Sequence, residues 1–167
     1  MDRRSLGSAV LIVAAAALLA RPWEGSGGSP DRGPATVTAY VVRAIDGDTI
    51  EVQLDGHRED VRYIGVDTPE TVKPGTPVQC FGERASRFDK RLVTHRRVRL
   101  VIGVEPRDVY GRLLAYVYLG RKFVNAVMVR RGLARTLEIP PNIRFAERFA
   151  RLEDAAARTG RGLWGAC

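Results

Sequence analysis

From Thr36 onward the chain alternates apolar and polar positions, then changes period. TVTAYVVRAIDGDTIEVQL (36–54) is rich in Val, Ile, Thr and Tyr and predicts two strands, 37–45 and 48–54, meeting around Asp46-Gly47-Asp48. Asp55-Gly56 is a hairpin signal. REDVRYIGV (58–66) predicts a third strand, with Val61, Tyr63 and, after a shift at Gly65, Val66 available to a core. From Gln79 the period becomes helical. Phe81, Ala85, Phe88 and Leu92 recur at spacings of four, three and four, while Glu83, Arg84, Arg87, Lys90 and Arg91 take the other faces. RRVRLVIG (96–103) and LLAYVYL (113–119) return to strand alternation. VNAVMVRRG (124–132) predicts a short helix stopped by Gly132, and EIPPN (138–142) a break. Ile143, Phe145, Phe149, Leu152 and Ala156 line a last helix that Gly160 ends. The order β-β-β-α-β-β-α-α predicts an α+β fold. Five short strands with an intervening helix suit a five-stranded Greek-key barrel of the OB type with three helices.

The first residues follow another pattern. MDRRSLGSAVLIVAAAALLARP (1–22) places Arg3 and Arg4 before 15 uncharged residues, Leu6 to Ala20. That is the basic and apolar pattern of a secretory signal, cleaved after Ala17 or Ala20, or else kept as a signal anchor. WEGSGGSPDRGPA (23–35) predicts a flexible linker. The domain is then 36–167, exported, with membrane attachment only through the N-terminal segment.

Charge narrows the partner class. The 167 residues carry a formal net charge of +8. Residues 36–167 keep 23 basic and 16 acidic residues, so the surplus does not come from the targeting segment. Such a surface favours polyanions, nucleic acid or anionic lipid, without choosing between them. The two cysteines, Cys80 and Cys167, are too far apart for CxxC chemistry. In an exported chain an even pair predicts a disulfide pinning the C-terminus to the start of a helix; two free thiols are the alternative.

Four polar clusters break the alternation. Asp46-Gly47-Asp48-Thr49 reads either as a turn or as paired acids. Arg62 faces opposite to Val61 and Tyr63 on its strand, toward solvent or toward a ligand. Asp67-Thr68-Pro69-Glu70 holds two carboxylates with Pro69 stiffening the link. Asp108-Val109-Tyr110-Gly111-Arg112 is a polar loop with an aromatic ring beside a guanidinium. Hard divalent cations take oxygen ligands, carboxylates above all. Asp48 starts the second strand and Asp67 ends the third, so the two come roughly opposite. Asp48 is seven before Asp55, and Asp67 is eleven after Gly56, so a bulge or stagger is needed, with Gly65 the place for one. Acids around a cation, a further carboxylate and two arginines suit phosphodiester hydrolysis.

These stretches resemble the staphylococcal nuclease (thermonuclease) family. AIDGDTI (44–50), VRYIGVDTPET (61–71), DVYGRLLAYVY (108–118), VNAVMVRRGLA (124–134) and GLW (162–164) carry the resemblance, in family order from about Thr36 to Trp164. It implies the OB-type barrel and a Ca²⁺-dependent nuclease acting on DNA and RNA, leaving 3′-phosphate and 5′-hydroxyl ends. By the same resemblance Asp48, Asp67 and Thr68 (through its backbone carbonyl) hold Ca²⁺, with Asp46 behind them. Arg62 and Arg112 bind phosphate, Glu70 is the general base, and Tyr110, with Asp108 in the same loop, contacts bound nucleotide. The type pattern has a Lys where this chain has Val109, and two base-enclosing Tyr where it has Glu138 and Pro140. Nucleotide affinity and base preference are therefore expected to differ. The partner implied is nucleic acid, single strands preferred, bound by a monomer.

Two other classes remain on the sequence. A non-catalytic OB module binding single-stranded nucleic acid would not need Asp48, Asp67 and Glu70, which repel phosphate when no metal is bound. Aromatic residues at 7% are also thin for stacking platforms. An envelope-anchored interaction domain would rest on the N-terminal segment alone.

Overall fold

Alternation of small β-branched side chains builds the first three strands, β1 (Thr36–Ala44), β2 (Thr49–Leu54) and β3 (His57–Tyr63). The computed structural model describes residues 34–71, 75 and 77–167. The expected signal segment, 1–22, and residues 23–33 of the expected linker lie outside the described residues. Asp55 and Gly56 both take positive φ, 47° and 86°, the geometry of a two-residue hairpin turn that Asp-Gly favours. β2 and β3 pair from Leu54↔His57 to Thr49↔Arg62.

The expected third strand, 58–66, ends early. At Gly65 (φ +78°) the chain turns away, and Val66–Asp67 forms a separate short strand, β4. Next come α1 (Gly82–Val93), β5 (Arg97–Arg107), β6 (Leu113–Leu119), β7 (Lys122–Phe123) and α2 (Val124–Arg130). β8 (Arg135–Thr136), α3 (Ala146–Arg158) and the four-residue α4 (Leu163–Ala166) complete the chain. The short elements β4, β7, β8 and α4 have no periodicity of their own and were not expected. β4 pairs with β8, Val66↔Thr136 and Asp67↔Arg135.

Five strands in the order β3-β2-β1-β5-β6 close into a barrel through a parallel β3–β6 contact. With three longer helices this is the expected OB-type α+β fold. β5 runs to Arg107, past the expected end at 103. Asn142 explains the extension, accepting from Glu105 N at 3.2 Å and donating to Glu105 O at 2.9 Å.

Val41, Ile50, Val52, Val61, Leu100 and Val117 are fully buried inside the barrel. A ring cluster seals the α3 side. Phe145 meets Tyr116 edge-on with centroids 4.8 Å apart and Phe123 at 4.9 Å. α3 begins three residues later than Ile143, which stands outside the helix and exposed.

α1 is rotated from the expected face. Ala85 and Val93 are fully buried, but so is Asp89, while Phe88 and Leu92 are only partly covered. Phe81 precedes the helix in a left-handed conformation. Asp89 is turned inward to meet Tyr63, whose hydroxyl donates to Oδ1 at 3.1 Å and Oδ2 at 3.2 Å. Burial pushes the Asp89 carboxyl well above its ordinary pKa of 3.8, and the Tyr63 hydrogen bond only partly opposes this.

A raised carboxyl pKa in the folded state means that the folded chain keeps a proton the unfolded chain releases. Stability from this group is complete below pH 3.8 and is lost as pH rises toward the folded value. The loss is up to about 1.4 kcal/mol per pH unit for one proton. In Asp89→Asn, which keeps a partner for Tyr63, urea titrations between pH 4 and pH 8 (about the useful range) should show a flatter decline than wild type. Parallel declines in the two proteins would mean that Asp89 ionises normally.

Candidate active site

Parallel pairing of β3 and β6 brings the two arginines to one groove. Arg62 pairs with Leu114, and Arg112, in the loop two residues before Leu114, lines the same groove as Arg62. Tyr63 and Val61, the neighbours of Arg62, point into the core. The outward face opens on a groove of about 620 Å³ lined by Arg62 and Arg112. Val109 and Tyr110 form one wall, and Leu137, Ile139 and Pro140 another.

Asp108 fixes Arg112. Its Oδ2 accepts from Arg112 Nε at 2.7 Å and lies 2.7 Å from Nη2, a two-point fork. Its Oδ1 accepts from the backbone N of Tyr110 and of Arg112, both at 3.0 Å. All the acceptor capacity of this carboxylate goes to the loop and its arginine. The Arg112 guanidinium also lies 5.3 Å from the centre of the Tyr110 ring, which is exposed.

The acids gather at the lower end of Arg62. Asp48, at the start of β2, is 4% exposed. Its Oδ2 accepts from Thr68 N at 2.7 Å and from the Thr68 hydroxyl at 2.9 Å; its Oδ1 meets Arg62 Nη1 and the Thr49 hydroxyl. Arg62 Nη2 lies 2.8 Å from Asp67 Oδ1, so one guanidinium bridges both acids. Burial pulls the Arg62 pKa down, but the charges of Asp48, Asp67 and Asp46 more than offset it and leave it raised. Asp46 accepts from Asp48 N at 3.0 Å. Burial first, and the charge of Asp48 second, push its carboxyl up to about 7. Three carboxyls thus crowd one guanidinium, and the donors are all oxygens. Oxygen donors are the type a hard divalent cation takes, although among the described residues no three acids converge on one point.

Asp48 and Asp67 do come together, on the two ends of the Arg62 guanidinium, but not by the route the strand count proposed. Asp67 lies on β4, beyond the turn, and pairs with Arg135 rather than with β2. The Gly65 turn takes up the mismatch, and Asn125 holds it. Asn125 is buried and donates to Ile64 O at 2.9 Å while accepting from Val117 N at 2.9 Å.

Glu70 follows Asp67 by three residues on the same segment. It is half-buried, its Oε1 accepts from Thr71 N at 2.8 Å, and it is not among the residues that line the groove. Gln79 secures it from outside, accepting from Glu70 N and donating its own backbone N–H to Glu70 O, both at 2.9 Å. Gln79, Asn125 and Asn142 are the residues that sequence reasoning passed over. Asn125 stands inside an apolar helical run, and that break in pattern was the signal. Gln79 and Asn142 sit in loops and gave none. Cys80 and Cys167 form the expected disulfide.

Residues 60–166 match the family described as staphylococcal nuclease homologue. The chain is 46% identical over 127 residues to the thermonuclease of Staphylococcus hyicus, covering 76% of this chain and 75% of that one. It is 48% identical over 127 residues to the thermonuclease of Staphylococcus intermedius, covering 75% and 76%. To endonuclease YncB of Bacillus subtilis it is 44% identical over 131 residues, covering 77% and 62%.

Gly65→Ala tests the turn that delivers these residues. A Cβ there would lie 2.5 Å from the Phe149 ring, on a backbone with φ +78°. Left-handed strain and overpacking together should cost about 2–4 kcal/mol in urea denaturation. A loss below about 1 kcal/mol would mean the turn tolerates a side chain.

Proposed function

The chain belongs to the staphylococcal nuclease homologue family, and on that premise we propose that it is a Ca²⁺-dependent nuclease that hydrolyses phosphodiester bonds in DNA and RNA. The observation that carries the reading is one groove with two outward guanidiniums beside an oxygen-only cluster of acids. Asp48, Asp67 and Thr68 are the residues proposed to hold the cation, with Asp46 behind them. A bound Ca²⁺ would supply positive charge for the phosphoryl oxygens.

The rest is done by side chains. Arg62 and Arg112 bring their positive charge, and the N–H groups that Asp48, Asp67 and Asp108 leave over, to the nonbridging oxygens, whose charge grows in the transition state. Asp108 keeps the Arg112 fork aimed and so acts as a positioning residue. Glu70 takes a proton from the water that attacks phosphorus. The 5′-oxygen leaves and is protonated, so the products end in a 3′-phosphate and a 5′-hydroxyl. Tyr110 stands at the groove's mouth to meet a terminal phosphate. Leu137, Ile139 and Pro140 give the base an apolar wall where the type pattern has tyrosines. A base reaches that wall only when unstacked, which favours single strands. The domain acts as a monomer. Its disulfide suits an oxidising compartment, in keeping with export through the N-terminal segment as a signal or anchor.

The purified protein should cleave single-stranded DNA with Ca²⁺ and not with EDTA. A strand that is bound but uncut at every pH tried would point instead to a non-catalytic OB module. Glu70→Gln should lower kcat by about 10²–10⁴-fold. Arg62→Lys, which keeps a charge against Asp48 but loses the fork, should lower it by about 10²–10³-fold. Rates near wild type in either variant would remove that residue from the reaction.

Metal binding has its own readout. At about 100 times its Kd, Ca²⁺ should stabilise the fold by about 2.7 kcal/mol. Asp67→Asn should abolish most of that gain in a thermal melt. An equal Ca²⁺ shift in wild type and variant would place the cation elsewhere.

A further inference from the structure

A second groove, of about 710 Å³, lies where α1, the end of α2 and the turn before α4 meet. Six guanidiniums rim it: Arg84, Arg87 and Arg91 from α1, Arg130 and Arg131 at the end of α2, and Arg161 before α4. All six residues are exposed, and no carboxylate is among the lining residues. Spacings of three and four put the α1 trio on one helix face, an arrangement that like charges make unfavourable for the helix itself. Among the described residues only Arg87 has an acidic partner, Glu83 at 3.2 Å. The other five have none, so the groove presents concentrated, uncompensated positive charge.

The groove is also built to keep its shape. Leu163 N donates to Gly132 O at 2.9 Å, and the backbones at Gly132 and Gly162 approach too closely for a side chain on either. That contact brings the turns carrying Arg131 and Arg161 together. The Cys80–Cys167 disulfide ties the same C-terminal segment to the start of α1. Two rings are interleaved with the charges: Arg84 lies 5.3 Å from the centre of Phe81, and Arg131 4.8 Å from that of Phe88. Along the chain, Phe81 of this groove follows by two residues the Gln79 that holds Glu70.

We propose that this groove is a second binding site for the phosphodiester backbone of a polynucleotide, gripping the strand away from the phosphate held by Arg62 and Arg112. Arginine forks suit phosphate oxygens. A lipid surface is the poorer match. Interfacial binding needs apolar side chains projecting at the rim, whereas Phe81 and Phe88 are half-buried beneath guanidiniums. The inference rests on the nuclease reading for the strand's identity. It adds that long strands are held at two places and short ones at one.

The test is the triple variant Arg84→Ala, Arg87→Ala, Arg91→Ala. These are exposed helix positions where Ala is the best helix former, and a thermal melt checks that the fold is kept. Anisotropy in EDTA would compare a labelled tetranucleotide with a single strand of about 30 nucleotides, at several salt concentrations. For the long strand the variant should bind about tenfold or more weakly, and its log–log salt slope should fall by about 2. Tetranucleotide binding should not change. In cleavage with Ca²⁺, KM for the long strand should rise with kcat unchanged. Unchanged long-strand affinity, or an equal loss on the tetranucleotide, would overturn the proposal. So would lost binding to phosphatidylglycerol vesicles with strand binding intact. Because the binding measurement needs no turnover, a chain that cuts nothing would sink the nuclease reading and leave the groove decided separately.

Discussion

The buried carboxylate of Asp48 is the constraint around which the candidate site is arranged. A charged group this deep is tolerated only when every lone pair has a partner. Its partners come from three places in the chain: Thr49 beside it, Arg62 from β3, and Thr68 from the loop after β4. Satisfying one side chain therefore joins the β2–β3 hairpin to the DTPE segment. Losing one partner of such a buried pair costs about 3–5 kcal/mol, so stability and site geometry are bound together here. Asp67 stays exposed beside that pair, while burial first and the charge of Asp48 second raise Asp46 to about 7. The acids are held close by covalent and hydrogen-bonded constraints, with the Arg62 charge between Asp48 and Asp67.

The second arrangement follows from barrel closure. Because β3 and β6 run parallel, residues with the same parity on the two strands share a face. Arg62 on β3 and Arg112 in the loop just before β6 are far apart in sequence, yet the closure brings them into one groove. The Asp108 fork then removes the freedom of Arg112, at the expense of a carboxylate that would otherwise repel phosphate. Asn142 works from the other wall. It pins the extension of β5 to the segment carrying Ile139 and Pro140, and accepts no side chain at Gly103. The groove's two sides are thus both tied to β5 and β6.

The hairpin, the five long strands and the helix periods were legible because each is a local pattern with one buried face. Asp55-Gly56 and LLAYVYL needed nothing beyond their own residues. Motif spacing likewise made Asp48, Arg62, Asp67 and Arg112 visible as candidates. What was not legible depends on partners distant in sequence. β4 and β8 are two residues each and exist only because they pair with one another. The rotation of α1 depends on Tyr63 reaching Asp89 across 26 positions, and a charged residue on a helix reads as solvent-facing until its partner is known. Asp48 and Asp67 were expected opposite each other on one strand pair. They come together at Arg62 instead because the chain leaves that pair at Gly65, a three-dimensional route to the same proximity.

Charge follows the same division between local and distant. Net basicity could be read from composition, but not its layout. Asp46, Asp48 and Asp67 gather around Arg62, where a cation is proposed to sit, while other acids such as Asp60, Glu105, Glu138 and Glu147 are exposed elsewhere among the basic residues. Arginines that look like the ordinary polar faces of α1 and α2 in sequence become one rim when the C-terminal segment folds back under the disulfide. A strand drawn to that rim passes the start of α1, and there the chain is already bonded to Glu70 through Gln79. The physical link between where a polyanion is proposed to be attracted and where water is proposed to be activated is therefore the pair of bonds between Glu70 and Gln79, with Thr68 bonded to Asp48 on one side and Cys80 bonded to Cys167 on the other.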